Sequence, residues 1–299
     1  MENYCNLCGR ELHTMKYQYR HPAQPDRVLT VCGHCRRLAP RCRQCHQPMR
    51  IDRSVAGICL ACAASAPRCL ACGTLIGERY YEISGRGPFC ETCHAQRQRC
   101  DVCGVPLDSQ ANRLPDGRAI CSACQQTSIM DPAQASQLFD RAVEHIRSAI
   151  GLRLRIGVRF VLSDRPGVRM QIQKIKPDQL YEADRVLGVY VRDGRRRTIY
   201  VQNGLPQILF VQVVAHEWAH AWQAENCPLV RHVLIVEGFA EWVAYKVLQA
   251  MGASKKMALM TDRKDMYGEG LRLMLGREAQ LGVTGVVTLC VDPNQTNVY

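Results

Sequence analysis

No stretch of this 299-residue chain approaches the roughly 18 to 20 consecutive apolar residues of a membrane-spanning helix. Its opening residues, MENYCNLCGR, lack the basic-then-apolar pattern of a secretory signal, so the expected compartment is the cytoplasm. Aromatic residues are scarce, at 6%, and no basic patch interleaved with aromatics is found in the N-terminal half. Cysteine all but disappears after residue 125, where only Cys227 and Cys290 remain. Low-complexity disorder is excluded by the 47% apolar content, which allows a conventional core.

What is present is cysteine, before residue 125. Sixteen of the 18 cysteines lie there. A reducing compartment disfavours disulfides, so the density points to metal. All sixteen fall into eight CxxC pairs: Cys5/Cys8, Cys32/Cys35, Cys42/Cys45, Cys59/Cys62, Cys69/Cys72, Cys90/Cys93, Cys100/Cys103 and Cys121/Cys124. A two-residue spacer lets both sulfurs of a knuckle face one zinc, and two knuckles close a structural site. Long gaps of 23, 13, 17 and 17 residues alternate with short gaps of 6, 6 and 6. This is an internal repeat of four modules, each expected to hold one zinc by sequential pairing of knuckles. Cross-braced pairing is the alternative. Four cysteines per site leave no need for the neighbouring His34, His46 and His94 as ligands.

The formal charge of +12 suggests an anionic partner until the metal is counted. Zinc held by four thiolates carries net −2, so four sites would leave +4. Residues 1–130 hold 17 Lys and Arg against 10 Asp and Glu, and the same correction takes that segment from +7 to −1. Neither nucleic acid nor membrane is therefore an expected partner. Arg36, Arg37, Arg41 and Arg43 read as a solvated face, as do Arg195–Arg197 and the Lys255–Lys256 pair. Ser84–Pro88 and Pro115–Gly117 read as hairpin tips.

Asp131-Pro132 then reads as a helix start, with Asp131 as N-cap, and Leu138, Ala142, Val143, Ile146 and Ile150 follow at helical spacing. The domain boundary is expected near residue 130. A strand is expected at 154–162 and a hairpin at 186–192 and 196–202 around Asp193-Gly194. Helices are expected at about 206–225 and 231–251, with at least one more helical stretch in the tail at about 256–280.

The first of these helices carries His216-Glu217-Trp218-Ala219-His220. Residues four apart share a helix face, so His216 and His220 can bind one zinc with Glu217 beside them as general base. A catalytic zinc needs a third protein ligand and an open position. Glu237, on the next helix, supplies that ligand, and Glu241 one turn on is placed to orient His216. A metzincin site would need glycine at 223 and histidine at 226, where the chain has Gln223 and Asn226. Cys227 and Cys290 read as buried, unreactive thiols.

The HExxH helix followed by Val236-Glu237-Gly238-Phe239-Ala240-Glu241-Trp242 resembles the gluzincin metallopeptidases. The glycine-x-methionine-glutamate-asparagine motif of the zinc aminopeptidases is missing. A closer resemblance is to the DA-one-type peptidases, which join LIM and LIM-like zinc modules to a short gluzincin domain. It rests on Arg99 through Cys124 with Asp116-Gly117-Arg118, on His216 through Trp222, on Val236-Glu237-Gly238, and on Tyr267-Gly268-Glu269-Gly270-Leu271-Arg272. It covers residues 99–292, and the first three modules match only in kind. The joints between modules are six residues where LIM fingers use two, and Cys5 leaves no space before it for the ubiquitin-interacting helices of those proteins.

The expected fold is α+β: tandem zinc-ribbon or LIM-like modules at residues 1–64 and 65–128, then a compact gluzincin-like metallopeptidase domain at 131–299 with a small sheet and the HExxH helix. The resemblance implies a zinc endopeptidase acting on protein or peptide substrates, with four structural zincs and one catalytic zinc. Tyr267 is the expected oxyanion donor, with Tyr245 in reserve. The strand at 196–202 is expected to line the substrate. The zinc modules are assigned to recruiting a substrate or regulator, or to self-association. The alternative is a zinc-finger adaptor without activity.

Overall fold

The computed structural model describes residues 3–13, 15–76, 79–83, 85–175, 186–227 and 232–291. The expected tip residue Ser84 and the expected helix start at 231 lie outside them. The chain divides into two compact units between Gln110 and Ala111, inside the fourth cysteine module rather than at the end of cysteine usage near 130.

The N-terminal unit repeats one small design. A first CxxC turn leads to a hairpin, and the second CxxC opens a short helix. The hairpins are β1 (Lys16–His21) with β2 (Gln24–Cys32), β3 (Ser54–Val55) with β4 (Ile58–Cys59), and β5 (Tyr81–Glu82) with β6 (Pro88–Phe89). The helices are α1 (Gly33–Leu38), α2 (Leu60–Ser65) and α3 (Glu91–Gln96). Each begins on a cysteine whose sulfur accepts an N–H from the second cysteine of its pair: Cys35 to Cys32, Cys62 to Cys59, Cys93 to Cys90. The thiolate thus caps the helix while remaining in place as a ligand.

Arginine is part of the repeat. Arg41, Arg68 and Arg99, each just before a first knuckle, donate to the carbonyl five residues on, at His46 (3.0 Å), Gly73 (3.1 Å) and Gly104 (3.3 Å). Arg36 lies 4.1 Å over the Tyr17 ring. The arginines expected to be only a solvated face therefore include two that brace knuckles or rings.

The C-terminal unit opens with the rest of the fourth module: β7 (Asn112–Arg113) paired with β8 (Ala119–Ile120), α4 (Ser122–Gln125) and β9 (Ser128–Ile129). Helix α5 (Pro132–Ile150) starts on Asp131, whose side chain accepts from Gln134 N–H at 2.8 Å, and ends on Gly151 in the left-handed region. Its predicted apolar stripe is buried. Next come β10 (Arg159–Ser163), α6 (Arg165–Ile175), β11 (Gly188–Asp193), β12 (Arg196–Gln202) and β13 (Leu205–Pro206). Four helices follow: α7 (Gln207–Asn226), α8 (Val233–Ala250), α9 (Ser254–Thr261) and α10 (Met266–Val291), the last kinked at Gly282.

Three expectations change here. The strand expected at 154–162 covers only 159–163. The tail, expected to hold at least one helix, holds two, and α6 went unforeseen because only Val168 and Ile172 of its residues are buried. In the three-stranded sheet, ordered β10-β12-β11, the strand at 196–202 is central, paired in parallel with β10 and antiparallel with β11. Its backbone is occupied on both sides, so it is not the substrate-lining edge; β11 is an edge strand.

Helices α7 and α8 are apolar around much of their circumference, with Phe210, Val214, Trp218, Phe239, Trp242 and Val247 buried. Such helices belong inside a core rather than on its surface. The β7–β8 tip is fastened to this unit by Arg118, whose side chain is 1% exposed. It pairs with Asp116 at 2.8 Å and donates to Gln202 Oε1 (2.9 Å) and Asn203 Oδ1 (2.6 Å). Asp116 also accepts the Arg165 N–H. Arg197, expected in a solvated run, is instead buried in an ion pair with Glu225.

Candidate metal centres and active site

The sulfurs of Cys5, Cys8, Cys32 and Cys35, and those of Cys69, Cys72, Cys90 and Cys93, each gather with every donor within 4.8 Å of the others. Of the fourth module's knuckles, Cys100 and Cys103 lie in the N-terminal unit and Cys121 and Cys124 in the C-terminal unit. The second module differs from the sequence expectation, since its group is His21, Cys45, Cys59 and Cys62. His34 and His46 are exposed, and His94 stacks on Tyr81 with centroids 3.9 Å apart.

These spacings fit zinc. A tetrahedral centre with bonds of about 2.3 Å to sulfur has edges of roughly 3.8 Å, whereas a disulfide needs about 2.05 Å. Cys8 and Cys32 sulfurs are 3.8 Å apart, Cys45 and Cys59 3.9 Å, and Cys72 and Cys90 3.8 Å. Burial raises the Cys5 and Cys42 thiols, but backbone N–H donors from the knuckles outweigh it and bring both to about 6. The same donors favour the thiolate form that a metal needs.

The fifth group is His216, His220 and Glu237. His216 Nε2 lies 3.0 Å from His220 Nε2 and 3.3 Å from Glu237, and His220 Nε2 lies 3.5 Å from Glu237. Edges of about 3.3 Å are those of a tetrahedral site with bonds near 2.0 Å, so these three donors fit a zinc with one position open. Burial works against a charged His216, yet Glu237 and Glu241 outweigh it and lift its pKa to about 10. Burial also pushes Glu237 up, and the two imidazoles more than reverse this, leaving it far below the usual carboxylate range. The carboxylates favour a cation where the three donors converge.

Each histidine has a group facing its second ring nitrogen, a hydrogen bond at His220 and a carboxylate at ion-pair distance at His216. Glu241, buried, faces His216 Nδ1 at 3.4 Å and is itself approached by Gln212 and Arg263. Gln223 does the same for His220, with its Oε1 2.9 Å from Nδ1 while its amide donates to Val236 O at 2.9 Å. This fixes the His220 tautomer with Nε2 toward the metal position. Gln223 stands three residues past His220, on the same helix face, so helical spacing alone would have exposed its role.

Glu217 is buried, and its Oε2 accepts the Tyr190 N–H from β11 at 2.8 Å. Gly188 makes that approach feasible: a Cβ there would meet Val213 at 2.4 Å and Glu217 at 3.1 Å. A second glycine contact brings Tyr267 in. Gly238 of α8 and Gly270 of α10 pack backbone to backbone, and a Cβ on either would stand 2.7 Å from the other. Glu237 and Tyr267 flank this crossing, and the Tyr267 ring centroid lies 6.2 Å from that of His216. Arg263 lies over Tyr267 at 4.8 Å. Tyr245 stands eight residues, about 12 Å of helix rise, beyond Glu237, too far along α8 to share its site.

Comparison with known proteins finds no matching family model, no matching curated protein and no matching solved structure. Among the described residues no helix is long and apolar enough to cross a membrane. Cys227 and Cys290 are buried, as expected, and adjoin one another; burial and the neighbouring Cys227 both push the Cys290 thiol up.

Proposed function

We propose that the chain is a zinc-dependent endopeptidase of the DA-one-like, gluzincin type, with His216, His220 and Glu237 holding the catalytic ion. The observation that carries this reading is the convergence of those three donors with Glu217 beside them, with Gln223 hydrogen-bonded to His220 and the Glu241 carboxylate facing His216. A zinc ion bound there would supply Lewis acidity, lowering the pKa of a water and polarising a peptide carbonyl. Glu217 takes the water's proton as it attacks and passes it to the leaving amine. One oxygen of Glu217 is fixed by the Tyr190 N–H, which sets the direction of the other. Tyr267 donates to the developing oxyanion. The substrate lies along the outer edge of β11, the edge that faces Glu217, and adds to it by backbone hydrogen bonds. The four cysteine-rich modules hold structural zinc and present surfaces that recruit a protein substrate or regulator.

The test is incubation of wild type and Glu217→Gln with a proteome-derived peptide mixture, with products sequenced by mass spectrometry. Cleavages are expected in wild type alone, with loss of about 10²- to 10⁴-fold in the variant at unchanged zinc content. No cleavage by wild type, either intact or lacking the first three modules (residues 1–96), each form carrying zinc in all its remaining sites, would overturn the reading.

A further inference from the structure

The first module has the longest gap, 23 residues against 13, 17 and 17, and the extra length builds the longest hairpin of the N-terminal unit. β1 and β2 run six and nine residues, where the other module hairpins have strands of two. The register shifts between Arg20 and His21, at the end of β1. Bulges of this kind re-aim a side chain. His21 is buried, and its Nε2 lies 3.2 Å from Cys62 Sγ and 3.4 Å from Cys59 Sγ. Gln47, in the second module, donates to Arg20 O at 2.5 Å and fastens the same end of the hairpin.

The second site therefore has five donors for four positions. Cys42 is not displaced from it. Its sulfur accepts the Cys59 N–H at 3.3 Å, as Cys5 accepts the Cys32 N–H at 3.4 Å, and it shares side-chain hydrogen bonds with Cys45 and Cys62. The tautomer of His21 decides which role remains for it. Ala23 N–H donates to His21 Nδ1 at 3.1 Å, so Nδ1 carries a lone pair. The neutral ring then bears its proton on Nε2, which has no lone pair left for a metal. Its distances to sulfur are also shorter than the roughly 3.6 Å edge between nitrogen and sulfur ligands of a tetrahedral zinc.

We propose that His21 is an inter-module latch: held as the Nε2–H tautomer by Ala23, it donates N–H···S hydrogen bonds to Cys59 and Cys62 of a four-cysteine zinc site in the next module. A zinc with four thiolates carries net −2, and outer N–H donors stabilise that charge. His21 is a positioning residue here, and the latch makes metal retention in the second module depend on the fold of the first.

The experiment uses the full chain loaded with ¹¹³Cd in place of zinc and labelled with ¹⁵N-histidine, compared with His21→Ala and His21→Gln. Expected are the Nε2–H pattern for His21, no ¹¹³Cd splitting of its nitrogens, and four all-sulfur cadmium signals from the modules. His21→Ala should move one of those four and speed metal loss to a chelator from that site about 10- to 100-fold. Gln, which keeps an N–H donor but is not a ligand, should restore most of the retention. A ¹¹³Cd coupling to His21 Nε2, or a cadmium shift of the mixed nitrogen–sulfur kind, would make His21 a ligand and overturn the proposal. So would a His21→Ala protein whose four signals and metal loss match wild type. Should the alanine variant fail to fold, the wild-type tautomer and coupling still decide.

Discussion

Buried apolar groups are distributed differently in the two compact units. In the N-terminal unit they form small separate clusters, such as Cys5, Val31 and Cys35, or Cys42, Met49 and Cys62, in which half or more of the members are the cysteines themselves. In the C-terminal unit Phe210, Trp218, Phe239, Trp242, Val247 and Leu271 are all essentially inaccessible and belong to long helices. Modules with so little apolar burial cannot offset the entropy of ordering the chain by packing alone, so metal bound at their cysteine groups would supply their folding energy. The C-terminal unit beyond the fourth module has a core of its own, and on the proposed function a metal at His216, His220 and Glu237 would serve chemistry rather than folding. On that proposal the same element would have opposite duties at the two ends of one chain.

Removing zinc is the strongest way to break this contrast. Each structural site contributes on the order of 10 kcal/mol or more, exceeding what such small clusters provide. After chelation, proteolytic cuts mapped by mass spectrometry are expected to concentrate before residue 110. The C-terminal unit should keep its far-ultraviolet helical signal while losing activity. Equal cutting in both units would mean that the C-terminal fold also depends on metal.

A smaller effect tests the C-terminal unit alone. Arg118→Met leaves the Asp116 carboxylate buried without its partner, which costs about 3 to 5 kcal/mol. For a unit of this size that lowers the melting temperature by roughly 10 °C, read by calorimetry on the C-terminal transition. Adding Asp116→Leu should recover part of the loss, because the unpaired charge is gone. Burial raises the Asp116 carboxyl, but Arg118 and two backbone donors outweigh it and hold it below its ordinary value. A depressed carboxylate stabilises above its unfolded value and loses that contribution as pH falls through the folded one. The Arg118–Asp116 pair therefore weakens only below about pH 4.

Much of the site was legible because its chemistry sits at fixed spacings. CxxC pairs, two histidines four apart and a downstream glutamate announce themselves in one dimension, and Asp131-Pro132 marked the start of α5 correctly. What the sequence concealed depends on which elements meet in space. Strand 196–202 looked like an edge because it precedes α7, but the order β10-β12-β11 places it in the centre. His21 carries no knuckle spacing and reaches the second site only through a bulge. Gly188, Gly238 and Gly270 have no side chain to announce a role, yet their close contacts position Glu217, Glu237 and Tyr267.

Gln223 gives the finest test of the contrast, because it touches His220 of the proposed catalytic site and none of the cysteine groups. Its carbonyl oxygen accepts from His220 Nδ1, its amide is anchored on Val236 O, and it also reaches Cys290 Sγ at 3.6 Å. Gln223→Ala frees the His220 ring without removing a ligand, so affinity of the catalytic site for zinc should fall about 10- to 100-fold. The four structural zincs should be retained under the same chelator titration. Gln223→Glu, which keeps an acceptor for Nδ1, should hold affinity near that of wild type. Uniform weakening of every site in the alanine variant would show that metal retention in this chain is not local, and the division of labour between its two units would have to be redrawn.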